Sequence, residues 1–363
     1  MDMKGNRYPE DEIESEIADV ATARMYLHRH HTAVLETVRR RRGAFLRLFG
    51  DKHKEMAQRT YGAGLICLAR MAARLGTTAD QHYNYHDELH PIDLLDHMLI
   101  LLRTDAAEQV TPPEWMFLFI FSAAHDLRQG FPGYDDNGVG NNERASADEA
   151  MRILELSGFD RANDYPMFEV IEWMIHGTTF LLGEIELAGS TFGPGALAPR
   201  VADKIRADGA SFGPFSNDQV AELILLAADI DTANVAQPID QFAEQSESLC
   251  REFHKLQDIS LNSAASGKSV FGFLTRGQEQ YFFNSQHFNS KVAHEALSKS
   301  KERTGRQLRE LITWLEERFI DELENEPDLN TGEHVLQAFL GHAIELEIAS
   351  GVSFLDADAE KEN

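Results

Sequence analysis

Residues 111–126 read TPPEWMFLFIFSAAHD, and between Trp115 and Ala124 the segment carries no charge. A helix that is apolar on every side has to be buried at the centre of its domain. A chain with such a segment must wrap other amphipathic helices around it. The apolar run ends on His125 and Asp126. Burying an imidazole beside a carboxylate is costly unless the two bond to each other or to a cation. A structural His-Asp pair and a metal site would both meet that demand.

The surrounding sequence supplies the wrapping. Residues 11–75 hold apolar positions at helical spacing, among them Leu27, Val34, Leu35 and Val38, which predicts two or three amphipathic helices. Helical patterns return over 91–103, 113–127, 146–157, 166–176, 298–326 and 333–349, while strand-like alternation is weak throughout. An all-α fold is therefore expected. Residues 129–142, QGFPGYDDNGVGNN, predict a long loop directly after the His-Asp pair. A second glycine- and proline-rich stretch, 189–216, predicts a surface excursion or lid, and the closing DADAEKEN predicts a frayed tail.

Charge limits the partners. A formal net charge of -26 over 363 residues repels a nucleic-acid backbone and an anionic lipid surface, so neither is expected to bind. A small phosphate ester would be repelled as well, and would need cations at its site. The two cysteines, Cys67 and Cys250, cannot make a disulfide framework. The longest apolar run falls far short of the ~20 residues that cross a bilayer, and the first residues are polar and acidic rather than signal-like. A soluble, cytoplasmic protein is expected, with homodimerisation left open. The basic run 39–42 and the histidines His28, His30 and His31 read as solvated helix surface.

Three segments carry chemistry. In YHDELHPID, His86, His90 and Asp93 stand at i, i+4 and i+7, one face if a helix includes them; alternatively Pro91 marks the first turn, with the histidines just before it. The second segment delivers His125 and Asp126. The third, AELILLAADIDTANVAQP, is another apolar helix, which delivers Asp229 and then Asp231. Helices that each end in such groups can converge on one point in a bundle. Two imidazoles and two carboxylates suit a divalent ion such as zinc, manganese, iron or magnesium.

The order H-x-x-x-H-x-x-D, A-A-H-D, A-A-D resembles the HD phosphohydrolase superfamily, and within it the catalytic domain of class I cyclic-nucleotide phosphodiesterases, over roughly 85–283. The resemblance implies an HD-type helical bundle over 76–350, with a helical extension over 1–75 and a flexible tail over 351–363. It implies that His90, His125, Asp126 and Asp229 ligate a first metal and that Asp126 bridges to a second. It makes His86 the general acid and Glu143 an assistant at the second metal. It also implies that Gln280 and Phe283, with Gln278 as an alternative to the glutamine, hold a purine; read without it, Phe271, Phe273, Phe282 and Phe283 are core aromatics. The chain departs from the pattern at Gln129, where the family has a histidine, and at Asp87, where it has an asparagine. Both departures bear on the second metal more than on the first.

The expected activity is metal-dependent hydrolysis of a phosphoester, with a cyclic nucleotide as substrate. Two rival readings are a hydrolase of non-cyclic nucleotides and a metal-holding regulatory module without strong activity.

Overall fold

The computed structural model describes residues 8–49, 51–80, 82–130, 140–181, 185–187, 190–207, 209, 211–325 and 330–351. Helices dominate them, as the sequence predicts. The chain divides into two compact units: unit 1 takes Met1–Thr232 and His287–Ala296, and unit 2 takes Ala233–Gln286 and Leu297–Asn363. This division differs from the boundary expected near residue 75. Residues 8–75 pack into the same body as the helices that follow them, because the helix Lys54–Leu75, on which the helices Glu12–Glu16, Val20–His30 and Thr32–Phe49 pack, in turn packs on the helices Pro112–Ala124 and Asn141–Leu156.

Unit 1 contains α1 (Glu12–Glu16), α2 (Val20–His30), α3 (Thr32–Phe49), α4 (Lys54–Leu75), α5 (His90–Leu102), α6 (Pro112–Ala124), α7 (Asn141–Leu156), α8 (Tyr165–Gly177), α9 (Ala198–Ala207) and α10 (Asn217–Asp231). The apolar segment is α6. It opens on a capping box between Thr111 and Glu114, every residue from Glu114 to Ala124 is buried, and it packs against α4, α5, α7, α8 and α10. Burying Phe117 and Phe121 alone contributes roughly 1.5–3 kcal/mol each. Packed on α6, α10 starts on a second capping box, Ser216 with Gln219, and is buried almost continuously from Val220 to Ile230.

Two short antiparallel ribbons, β1 (Phe180–Leu181) with β4 (Gly195–Ala196) and β2 (Ile185–Leu187) with β3 (Ser190–Phe192), lead into α9. The expected excursion over 189–216 therefore contains a regular helix. Ala198, Ala202 and Ile205 on one face of α9 are buried, a pattern hidden in sequence by the glycines and prolines around it. Residues 131–139 of the predicted loop and 352–363 of the predicted tail lie outside the described residues.

Unit 2 is built on α11 (Ile239–Leu256), α12 (Ala264–Gly272), α13 (Lys291–Asn325), whose first residues count with unit 1, and α14 (Gly332–Ser350). Here α14 packs on α11 and α12. Gly267 of α12 approaches so closely that an added Cβ would stand 2.2 Å from the Asn330 carbonyl oxygen. Two π-helical turns, Phe273–Gly277 and Gln280–Ser285, follow α12. Among the described residues, no helix is long and apolar enough to cross a membrane.

The surface histidine reading fails at His31. Its ring is buried, with Nδ1 2.8 Å from Glu88 Oε1 and Nε2 3.3 Å from Thr78 Oγ1, a partnership across distant sequence that no local pattern reveals. The basic run is partly anchored: Arg41 pairs with Asp96, and the Arg42 guanidinium lies 4.5 Å over the Tyr61 ring.

Candidate metal centre

The centre lies in unit 1, where the ends of α6 and α10 meet the start of α5. His90 is the first residue of α5, with Pro91 in the first turn, and His86 precedes the helix. Asp87 makes the turn between the two histidines, since its Oδ1 accepts from the Leu89 amide at 2.8 Å. Burial raises its carboxyl to about 7. At the other segment α6 stops at His125, and the chain turns through Asp126 to Gly130. Gly130 adopts φ +68, and a Cβ there would meet the Tyr83 hydroxyl at 2.0 Å. Only glycine fits this end of the turn.

His90, His125 and Asp231 each bring one donor atom within 4.8 Å of the others. His90 Nε2 lies 3.4 Å and His125 Nε2 3.2 Å from Asp231 Oδ1. Asp126 Oδ2 joins the same cluster, 2.9 Å from His125 Nε2 and 3.4 Å from His90 Nε2. His86 stands outside it, half-buried, with Nε2 3.9 Å from Asp126 Oδ2. Burial would lower both inner imidazoles, but the carboxylates outweigh it. Asp126 and Asp231 hold His90 up at about 9, and His125 well above its ordinary value. In return the histidines hold Asp126 and Asp231 below the usual carboxylate range.

The second carboxylate is Asp231, where the sequence reading chose Asp229. At about 100° per helical residue the two point to nearly opposite sides of α10, so one alone can face the histidines. Asp229 turns the other way. It accepts from the Asn289 amide at 3.0 Å, and from the Ser290 amide and hydroxyl at 2.7 and 2.6 Å. Burial raises its carboxyl to about 6 despite these donors. The missed residue Asp231 carries one sequence signal, its position as the last residue of an apolar helix. A further group, His97, is one that sequence reasoning did not single out: its Nδ1 donates to the Ile230 carbonyl at 2.9 Å and so ties α5 to the residue before Asp231. Burial keeps this imidazole neutral, down at about 4.

A divalent ion fits these residues on two counts. The donors are two imidazole nitrogens and two carboxylate oxygens, a set suited to zinc, iron or manganese. Moreover, neither ring nitrogen of the buried His125 has a partner in hydrogen-bonding geometry among the described residues, although carboxylate oxygens lie close by. An ion bound there would replace the proton that the two carboxylates favour on this imidazole.

Glu143, in the first turn of α7, stands close enough to feel the centre. Burial and then the Asp126 charge raise its carboxyl, which also hydrogen-bonds Thr179. The two residues expected to hold a base lie in unit 2. Gln280 is exposed, and its amide meets Ser285 Oγ at 3.4 Å and Asn284 Nδ2 at 3.2 Å. Phe283 packs beside Phe282, with the Arg309 guanidinium 4.0 Å over its ring. The alternative Gln278 is buried. These are the contacts of helix-surface bonding and core packing.

Compared with family models, curated proteins and solved structures, the chain matches none.

Proposed function

We propose that the protein is a metal-dependent phosphohydrolase, with His90, His125, Asp126 and Asp231 as ligands and a small phosphoester, a cyclic nucleotide first among them, as substrate. The observation that carries this reading is the convergence of four donor groups at buried helix ends, where neither His125 nitrogen meets hydrogen-bonding geometry among the described residues although carboxylate oxygens lie close by. A divalent ion there would neutralise phosphoryl charge and lower the pKa of a water molecule. His86, half-buried beside Asp126 but outside the cluster, would protonate the leaving oxygen. Its ring is steadied edge-on by Tyr85, with centroids 4.8 Å apart.

The test is hydrolysis of bis-nitrophenyl phosphate and a panel of cyclic and linear nucleotides by protein stripped with chelator and reloaded with manganese, zinc, iron or magnesium. We expect turnover only with metal, abolished in Asp126→Ala. In His86→Ala, turnover should fall ~10² to 10⁴ on a nucleotide and much less on the nitrophenyl ester, whose leaving group needs no proton. Turnover by metal-free protein would overturn the metal reading. Metal uptake without turnover of any ester would leave the regulatory-module reading, which one observation favours: the Gln129 amide bonded to Asp126 at 2.6 Å.

A further inference from the structure

We infer that this centre takes a single metal ion, and that Gln129, oriented by Asn142, is the positioning residue that sets the number; the inference rests on the metal-binding part of the reading above. Asp126 has two oxygens in different company. Oδ2 faces the imidazoles of His125, His90 and His86 at 2.9, 3.4 and 3.9 Å. Oδ1 accepts from Gln129 Nε2 at 2.6 Å, and Gln129 Oε1 in turn accepts from Asn142 Nδ2 at 2.6 Å.

The chemistry fixes the sense of this relay. A carboxylate that ligates a metal ion is ionised and can only accept. Gln129 must therefore present its NH2 to Asp126, which leaves its oxygen for the Asn142 NH2. An amide NH2 has no lone pair to give a cation. A second ion bridged through Asp126 Oδ1 would have to share that oxygen with this donor or expel it and lose a charge-assisted bond, and in this orientation it would gain no ligand from Gln129. Asp126 thus keeps Oδ2 as the oxygen aimed at the histidine cluster. Such partners behind a ligand orient it and tune its affinity. Asn142 and Gln129 reach the site from opposite ends of segment 129–142, Gln129 in the turn after Asp126 and Asn142 in the first turn of α7.

The experiment counts metal. Chelator-stripped full-length protein is reloaded with excess Mn²⁺, desalted, analysed for manganese per chain by mass spectrometry, and examined by electron paramagnetic resonance. We expect one ion per chain in the wild type, with the spectrum of a magnetically isolated ion. Gln129→Glu puts an anionic ligand where the donor was, and should admit a second ion with exchange coupling to the first. Asn142→Ala should keep one ion but weaken its Kd by about 10- to 100-fold. Two ions in the wild type would overturn this inference and leave the metal reading intact. A Gln129→Glu protein, folded by circular dichroism, that still holds one ion would overturn the role given to Gln129. No manganese in any form, with zinc and iron giving the same result, would overturn the metal reading itself.

Discussion

Asp229 and Asp231 look interchangeable in the string AADID, yet the structure gives them unrelated work. Asp231 lies 3.4 and 3.2 Å from the two histidine nitrogens, while Asp229 collects three donors from Asn289 and Ser290. Their difference is readable by substitution. Asp231→Asn removes a charged donor from the cluster and should weaken metal binding by at least about 10- to 100-fold with a modest effect on the fold. Asp229→Asn should leave metal affinity nearly unchanged but cost roughly 1–3 kcal/mol of stability, because its hydrogen bonds lose their charge. Calorimetric metal titration and thermal melts of both variants decide the matter; equal loss of metal in the two would mean that α10 is turned differently. Sequence could establish that a carboxylate sits at the end of α10. It could not say which, because α10 is buried on both sides and its apolar pattern marks no outward face.

At the scale of elements, the feature least visible in the sequence is what holds the turn after Asp126. The five-residue α1, EIESE, is polar at every position but Ile13, yet Glu14 is buried. Its carboxylate pairs with Arg70 at 3.0 Å, with Arg152 at 2.6 Å and with Arg128, which also binds Glu149 and Asp11. Arg74 completes the network through Asp11 and Glu149 and donates to the Leu127 carbonyl at 2.9 Å. Leu127 and Arg128 immediately follow Asp126, so α1, α4 and α7 together clamp the backbone that presents it. Local periodicity exposes α4, α6 and α10, since each is decided by its own apolar residues. The network joins charges far apart along the chain, and only the folded topology brings them together.

Glu14→Gln should cost about 3–5 kcal/mol at neutral pH, because it leaves buried guanidinium groups short of an anion. Its pH signature follows from the same contacts. Burial would raise the Glu14 carboxyl, but Arg152, Arg128 and Arg70 hold it below its ordinary value, and Asp11 is lowered likewise by Arg74. A depressed carboxylate contributes fully above its unfolded pKa, near 4, and loses that contribution as pH falls toward the folded value. Wild-type melting temperature should therefore drop steeply below about pH 4.5, and Glu14→Gln should start lower and fall less. Parallel curves for the two proteins would refute the linkage.

For the whole molecule the governing quantity is the net charge of -26. If the proposed centre holds one divalent ion, its two carboxylates would leave it near neutral, and the field that an approaching phosphoester would meet is that of the acidic body around it. That field has opposite effects on the two things the proposed reaction would need: it draws a divalent cation in and holds an anionic ester off. Salt screens it, the Debye length shrinking from about 30 Å at 0.01 M to about 10 Å at 0.1 M. Raising potassium chloride over that range should weaken the Kd for Mn²⁺ and, with metal kept saturating, lower the KM for bis-nitrophenyl phosphate. Opposed slopes are the expected outcome, and kcat should hardly move, because the groups that act on the bound ester lie within a few ångströms of it and are screened little. A KM that rises with salt would mean that local cations, rather than the net charge, set the potential at the mouth of the site.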